Sequence, residues 1–438
     1  MKSFDQSLVY KLRLIRAYKD VFRNHFPPVF KLYSKSFRYA QLRAARKLEN
    51  KKSIRVAFLL SIPGMWKLDS VFQAMQDNPK YDPFVVVLPY STFKGFSEAE
   101  IDNTLSRTEQ FVKGKGYKYV IPFDKTINKW LDVKNEYHPD VVFFCTPYKD
   151  FLPQYFIYHF RDTLTCYVQY SFCSLKNSNS NYNLIFHNLV GLHFLETSVH
   201  QEMAAEVSRI KAVNTIVTGY PATEIFLRQD YQPANQWKVN DSSLKKVIWA
   251  PHHSIDYHDY VSTFLSISED MLCLANKLKG KVEFVFKPHP TLKLKLQQLW
   301  GVDKTEDYYG RWANGENTTL VSDGYEDLFL TSDAMIHDCG SFTTEYLFTK
   351  KPVMFLCRET DMSDKFNRFG VKSFECHYHG SSIQDVESFI QNVVINGDDP
   401  MRTQREHFFE EYLKPKDRIL PSQRILQTIE QFIKGSTL

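Results

Sequence analysis

Residues 334–357 read AMIHDCGSFTTEYLFTKKPVMFLC. The stretch opens on a short apolar run, AMIH, and closes on another, VMFL. Between them Asp338, Gly340, Ser341, Thr343 and Thr344 crowd small polar groups where an amphipathic segment begins. Two buried runs joined by a helical pattern form a strand–helix–strand unit, and such units lay their strands parallel. Lys350-Lys351-Pro352 ends the helical pattern before the second run.

The same pattern extends in both directions. Toward the N-terminus, KKVIWAPHH, KVEFVFKPHP and NTTLVSDG read as strands with helical segments between most of them. Earlier still come IRVAFLL, FVVVLPY, YKYVIPF, DVVFFCTPY, TCYVQYSF, LVGLHFLET and NTIVTGYP. Each run is nearly continuous in apolar residues, as expected for a parallel sheet covered on both faces. The polar, turn-rich stretch 230–245 (DYQPANQWKVNDSSLK) separates the two series. The expected organisation is a basic segment 1–52, a first α/β domain 53–229, a linker 230–245, a second α/β domain 246–412 and a terminal helix 413–438.

Length and composition agree with two folded domains: 438 residues, 43% hydrophobic and 24% charged. No apolar run reaches the ~18–20 residues needed to span a bilayer, and no signal-peptide core follows the first charges. The seven cysteines are scattered, without a CxxC pair, which fits a reducing cytosol better than a disulfide framework. The net charge of +5 is uneven. Residues 1–55 carry +12 and the remainder −7. Residues 7–26 (SLVYKLRLIRAYKDVFRNHF) place apolar side chains at helical spacing with cations between them, and a second basic, aromatic stretch follows Pro27-Pro28. Such a segment suits an anionic membrane surface. It equally suits a helix docked on the body with its cations in water.

In open parallel sheets, ligands bind beyond the carboxyl ends of the strands. Four of these ends carry candidates. VIWA ends in Pro251-His252-His253, VEFVF in Lys287-Pro288-His289-Pro290, AMIH in Asp338-Cys339-Gly340-Ser341, and TIVT in Gly219-Tyr220-Pro221. A helix starting near Ser341 exposes amides at its first turn, and Gly340 lets a ligand approach the backbone, a combination suited to phosphate. Ser341, Thr343 and Thr344 add hydroxyls, and Glu345 is placed to accept from a ribose. Ordinary capping by Asp338 or Ser341 explains the same residues without a ligand. Two prolines present His289 rigidly, and with Lys287 it is suited to neutralise a diphosphate without metal. His252 and His253 are adjacent, so in an extended chain they point to opposite sides, and one of them is available as a proton acceptor. Neither HHSIDYHD (252–259) nor CHYH (376–379) has the paired spacing of a metal site. No cofactor and no metal are expected. No P-loop and no GxGxxG are present.

This ordered series resembles the CDP-glycerol glycerophosphotransferase family of teichoic acid and capsule polymer synthesis. The residues that carry the resemblance are Ala250-Pro251, Lys287 with His289-Pro290, EDLFLTSDAMIHDCGS with Asp338 and Ser341, Glu345 in place of a downstream Asp, and Lys351-Pro352-Val353. In the first half they are Gly219-Tyr220-Pro221 and Trp66–Phe72 with Asp69-Ser70. The sequence departs from the pattern at Gln169–Phe172, where the family has a His, at His252, where it has a Thr, and after Pro221, where its Asn-Asp is absent.

The resemblance implies a glycosyltransferase-B-like fold, two Rossmann-like domains facing a cleft. It also implies a CDP-glycerol donor, CMP as leaving group, no essential metal, and peripheral attachment to the cytoplasmic face of the membrane. On that footing His252, His289 and Asp69 are the expected catalytic residues, with His252 or Asp69 as base. Lys287, Asp338, Gly340, Ser341, Thr343, Thr344 and Glu345 are the expected donor-phosphate residues, and Tyr170 and Gly219 lie on the acceptor side. The expected partners are a cytidine-nucleotide donor, a lipid-linked glycan or polyol acceptor and, through residues 1–52, an anionic membrane; nucleic acid is not among them. A nucleotide-sugar glycosyltransferase and a non-catalytic glycan-binding relic of the fold are the alternatives.

Overall fold

The computed structural model describes residues 26–90, 98–149, 152–239, 241–255, 262–322, 324–358 and 363–435. The helix expected over 7–26 lies outside them save for its last residue. The chain divides into two compact units. The first comprises residues 1–171, 177–222 and 419–438, and the second 172–176 and 223–418.

The first unit is built on seven parallel strands: β1 (Ile54–Leu60), β2 (Tyr81–Val87), β3 (Tyr119–Val120), β6 (Val141–Phe144), β7 (Leu164–Val168), β8 (Leu192–Leu195) and β9 (Thr215–Val217). Their order is β3-β2-β1-β6-β7-β8-β9. The chain runs outward from the central strand β1, returns beside it, and runs outward the other way, which is the doubly wound Rossmann order. β1 is buried along almost its whole length, matching its unbroken IRVAFLL run. An antiparallel ribbon, β4 (Phe123–Asp124) and β5 (Lys129–Trp130), stands outside this sheet. Two-residue strands have no periodicity, and no sequence signal announces them.

The second basic stretch forms the helix Pro27–Arg46, whose opening prolines occupy its first turn. Phe30, Ser34, Phe37, Gln41, Ala44 and Ala45 are buried against the first unit. Lys31, Lys35, Arg43 and Arg46 face water. The buried stripe of this helix docks on the body, and its outer face mixes these cations with the exposed Leu32 and Tyr39. Gln41 is its anchor. The amide donates to the carbonyls of Phe160 (2.9 Å) and Arg161 (3.2 Å), and its oxygen accepts from the Thr165 backbone N–H (2.7 Å) and hydroxyl (3.1 Å). Gln41→Ala is expected to lower the stability of the first unit by about 2–4 kcal/mol, because buried backbone groups lose their partners. Denaturant unfolding of the variant against the parent chain measures this.

The terminal helix Pro421–Ile433 packs on this N-terminal helix and on the helix Asp69–Gln76. Gly219, expected on the acceptor side, serves this packing. Its φ is +81°, and a Cβ there would lie 3.0 Å from the Pro421 ring. The left-handed backbone and the close approach both call for glycine.

The second unit holds six parallel strands: β10 (Lys245–Ala250), β11 (Val282–Phe286), β12 (Thr318–Leu320), β13 (Ala334–His337), β14 (Val353–Leu356) and β15 (Tyr378–Gly380). Their order, β12-β11-β10-β13-β14-β15, repeats the Rossmann winding. Behind the sheet, Trp249 packs on Phe264, Phe286 and Trp312 with ring centroids 5.0–5.6 Å apart. Burial of large aromatics of this kind is the main stabilising term of such a core. β15 begins within the CHYH stretch and is too short to read from sequence.

The stretch expected as a linker belongs to this unit. Trp237 is buried and its indole N–H donates to Thr331 Oγ1 (2.8 Å). The Lys238 and Val239 amides donate to the buried Glu283 carboxylate at 2.6 and 3.1 Å. Polar composition concealed a strap whose backbone is paired by a distant side chain. Among the described residues, no helix is long and apolar enough to cross a membrane.

Candidate functional site

Three neighbouring strands of the second sheet, β11, β10 and β13, bring His289, His252 and Asp338 to one edge of the sheet. The chain leaves regular strand geometry at Pro251, so the alternation of side chains ends there. In consequence His252 and His253 do not point apart as expected. Their ring centroids are 4.2 Å from each other and 5.2 and 4.2 Å from His289. One nitrogen from each of the three rings lies within 4.8 Å of the others.

The rings are held from behind. His252 Nδ1 is 2.9 Å from Ser254 Oγ, and His289 Nδ1 is 2.8 Å from Thr291 Oγ1. Both residues thus use a hydroxyl two positions on, and both loops draw on proline for stiffness. The His289 amide donates to Pro251 O (3.0 Å), tying the two strand ends together. Burial, with His253 and Lys295, lowers His252 to about 4. Burial, His253, His252, Lys287 and Lys295 lower His289 to about 3. At neutral pH both rings are uncharged in the free protein, in a field already positive from the lysines. A bound anion reverses that field and favours their protonation.

Lys287 is buried, and its ammonium donates to Ser322 O (2.8 Å).

Asp338 takes a different part from the one expected. Its carboxylate is buried and accepts from the His252 amide (2.5 Å), Ser262 Oγ (2.8 Å), the Thr263 amide (2.8 Å) and Thr263 Oγ1 (3.2 Å). A filled, buried carboxylate does not bind phosphate. It clamps the loop that carries His252 to the end of β13. Burial pushes it up to about 6, with the four hydrogen bonds pulling the other way.

The helix expected from Ser341 is one turn, Phe342–Glu345, followed by a 3-10 turn, Tyr346–Thr349. So short a helix has little macrodipole, and the phosphate reading of its start loses that support. Thr343, Thr344 and Glu345 are buried. Thr343 Oγ1 donates to Cys339 O (3.2 Å), while Thr344 Oγ1 lies 2.9 Å from both Ser174 Oγ and Ser373 Oγ. These hydroxyls pack the turn inward. Gly340 and Ser341 are half-buried, and Gly340 lies under Leu175, where a Cβ would come within 3.0 Å of its side chain.

Leu175 belongs to a segment that sequence reasoning missed, residues 172–176, which comes from the first half of the chain yet packs within the second unit. Asn367 holds it, donating to Cys173 O (2.6 Å), and Phe172 stacks on Phe369. Gly370 lies against it so closely that a Cβ would meet Ser174 O at 2.0 Å. Gly370→Ala is expected to cost at least about 1–3 kcal/mol, read as a lowered melting temperature, because the obstacle is backbone and cannot rotate away.

In the first unit, Asp69 is engaged. It accepts from Trp66 Nε1 (2.6 Å), Tyr117 OH (2.7 Å) and Lys115 Nζ (2.8 Å). Three donors, one of them cationic, occupy this carboxylate as a brace for the loop after β1. Tyr170, beyond β7, places its hydroxyl 3.2 Å from that of Tyr148, beyond β6, with the rings edge to face.

Two Rossmann-like units with parallel sheets define an α/β protein of the glycosyltransferase-B fold type. The chain belongs to the CDP-Glycerol:Poly(glycerophosphate) glycerophosphotransferase family, whose model matches residues 190–431, more than half its length and all three histidines. No curated protein matches the chain. Among solved structures it is similar to a variant of the wall teichoic acid polymerase TagF, with TM-score 0.58 and 14% identity over 96% of this chain and 98% of that one. It is also similar to a putative UDP-N-acetylglucosamine 2-epimerase from Listeria monocytogenes, with TM-score 0.56 and 13% identity over 88% and 97%. The UDP-GlcNAc 2-epimerase from Neisseria meningitidis, bound to UDP-GlcNAc, gives 0.52 and 14% over 86% and 99%. At such identities these likenesses are of fold.

Proposed function

We propose that this protein transfers glycerol phosphate, or a related polyol phosphate, from a CDP-activated donor to a membrane-linked glycan or polyol in cell-surface polymer synthesis. The observation that carries the reading is the convergence of His252, His253, His289 and Lys287 at the strand ends of a unit that lies wholly within the family match apart from residues 172–176. A diphosphate diester supplies negative charge complementary to Lys287 and to the imidazoles as they protonate. An acceptor hydroxyl attacks the phosphorus bearing the glycerol, a new P–O bond forms, the bond to the bridging oxygen breaks, and CMP departs. His252 takes the hydroxyl proton. His289 and Lys287 hold the charge that develops on the leaving phosphate, with Gly340 and Ser341 at the margin of the donor. Tyr170 shapes the acceptor side. The basic N-terminal segment brings the enzyme to an anionic, acceptor-bearing membrane at its cytoplasmic face.

CMP release from CDP-glycerol in the presence of a lipid-linked polyol acceptor tests this. CMP and a lengthened acceptor are the expected products. A second reading, a nucleotide-sugar glycosyltransferase, is favoured by the missing His at Gln169–Phe172 and by His252 standing where the family has Thr. Turnover of UDP-sugars in preference to CDP-glycerol would establish it. Binding of acceptor without turnover of any donor would instead indicate a glycan-binding protein.

A further inference from the structure

We infer that His252, His253 and His289 form a binding site for a divalent transition-metal ion of the zinc class. Imidazole nitrogen is a preferred ligand of zinc, cobalt and nickel, and three histidines with an open fourth position is an established zinc arrangement. Here one nitrogen from each ring already lies within 4.8 Å of the other two. In a tetrahedral site with Zn–N of about 2.0–2.1 Å, ligand nitrogens stand roughly 3.3–3.4 Å apart. Closing the cluster therefore asks for side-chain movements of about an ångström, within reach of small χ rotations on a fixed backbone.

The hydrogen bonds behind the rings support the site. Ser254 Oγ lies at His252 Nδ1 and Thr291 Oγ1 at His289 Nδ1. The Ser254 and Thr291 backbone amides also donate to these Nδ1 atoms, at 3.3 and 3.2 Å, which fixes the ring planes; ligation through Nε2 then moves the ring proton to Nδ1, where the hydroxyl turns to accept it. The three ligands come from two loops joined by the bond from the His289 amide to Pro251 O, so the frame exists before the ion arrives. All three ligands are neutral when bound, with Lys287 and Lys295 acting on His289 and Lys295 on His252. The fourth position therefore takes water or a small anion, and because a ring ligating through Nε2 cannot also take the acceptor's proton, the metal-bound state is one without bound substrate.

The inference uses the same cluster as the proposed function, so its test omits the nucleotide and reads metal binding by itself. The full-length protein is stripped with a chelator and titrated with Co²⁺ and with Zn²⁺. The expected result is one equivalent bound, with a tetrahedral-type Co²⁺ visible spectrum that Zn²⁺ abolishes. His253→Ala and His289→Ala, each checked for an unchanged melting temperature of the metal-free protein, are expected to weaken binding at least tenfold. Thr291→Val, which removes only the outer hydroxyl, is expected to weaken it less. Absence of stoichiometric binding, or binding that survives both histidine substitutions, would overturn the site and leave the transferase reading standing. Loss of transferase activity with metal binding intact would do the reverse.

Discussion

His289→Ala is expected to lower turnover with the working donor by about 10²–10³-fold, the usual loss when one preorganised group is withdrawn from developing transition-state charge. The imidazole stands at the end of β11 between two prolines, with its amide tied to Pro251 O and Nδ1 at the Thr291 hydroxyl. In the free protein burial and the surrounding positive groups hold it near 3, so it waits as a neutral ring. A donor diphosphate changes the sign of the local field, and the ring then gains by sharing or taking a proton as charge moves onto the leaving phosphate. Alanine removes both the donor and that response. Asparagine restores a donor without the basicity, and His289→Asn is expected to fall between the two. The measurement is kcat from CMP release at saturating donor, with melting temperature as the control for folding. An unaltered kcat in a folded His289→Ala protein would remove this residue from the mechanism.

Asp338→Ala is expected to destabilise the second unit by about 3–5 kcal/mol, the range for stripping the partner from several buried polar groups. Two backbone amides and two hydroxyls converge on this carboxylate. The hydroxyls can turn to other acceptors, but the amides of His252 and Thr263 cannot. Asp338→Asn keeps one acceptor oxygen, so whichever way the amide group turns, one of the two backbone donors is left unpaired, at about 1–3 kcal/mol.

The pH dependence gives an independent check. Burial raises the folded carboxyl to about 6, above the ordinary aspartate value near 4. Between about pH 4 and 6 the folded chain retains a proton that the unfolded chain has released, so this group makes stability fall as pH rises through that window. The slope should be missing in Asp338→Asn. Denaturant unfolding at pH 4.5 and 7, followed by a probe in the second unit such as the buried Trp249 cluster, reads both effects. Equal stability of parent and alanine variant would show that the loop of His252 is held by something else.

The comparison of sequence with structure has a clear physical pattern. Long apolar runs such as IRVAFLL and VEFVF report their strands because a parallel strand is buried on both faces, a property of each residue in turn. The short strands β3, β4, β5, β9, β12 and β15, two or three residues each, carry too few side chains to show a period, and β3, β9 and β12 were found only inside longer runs. Lys287 and His289 stood out because prolines around an imidazole at a strand end are a local signal. The pairing of His252 with His253 did not, since strand alternation was carried past Pro251, where the strand has already ended. Asp338, Thr343 and Thr344 have the residue types of a phosphate site, but the direction of a side chain is not encoded in its type. Packing turned all three inward.

From the order of residues alone came the two Rossmann-type series, the family resemblance and the strand ends at which chemistry is concentrated, because periodicity and motif spacing are local properties of the chain. Only the tertiary structure decided that three histidines from two loops share one edge and that residues 172–176 complete the other unit. It alone decided that Asp69 and Asp338 are braces, and that Gly219 makes room for Pro421. Each of these depends on contacts between residues far apart in sequence, where burial and the pairing of polar groups fix an arrangement that no short stretch contains.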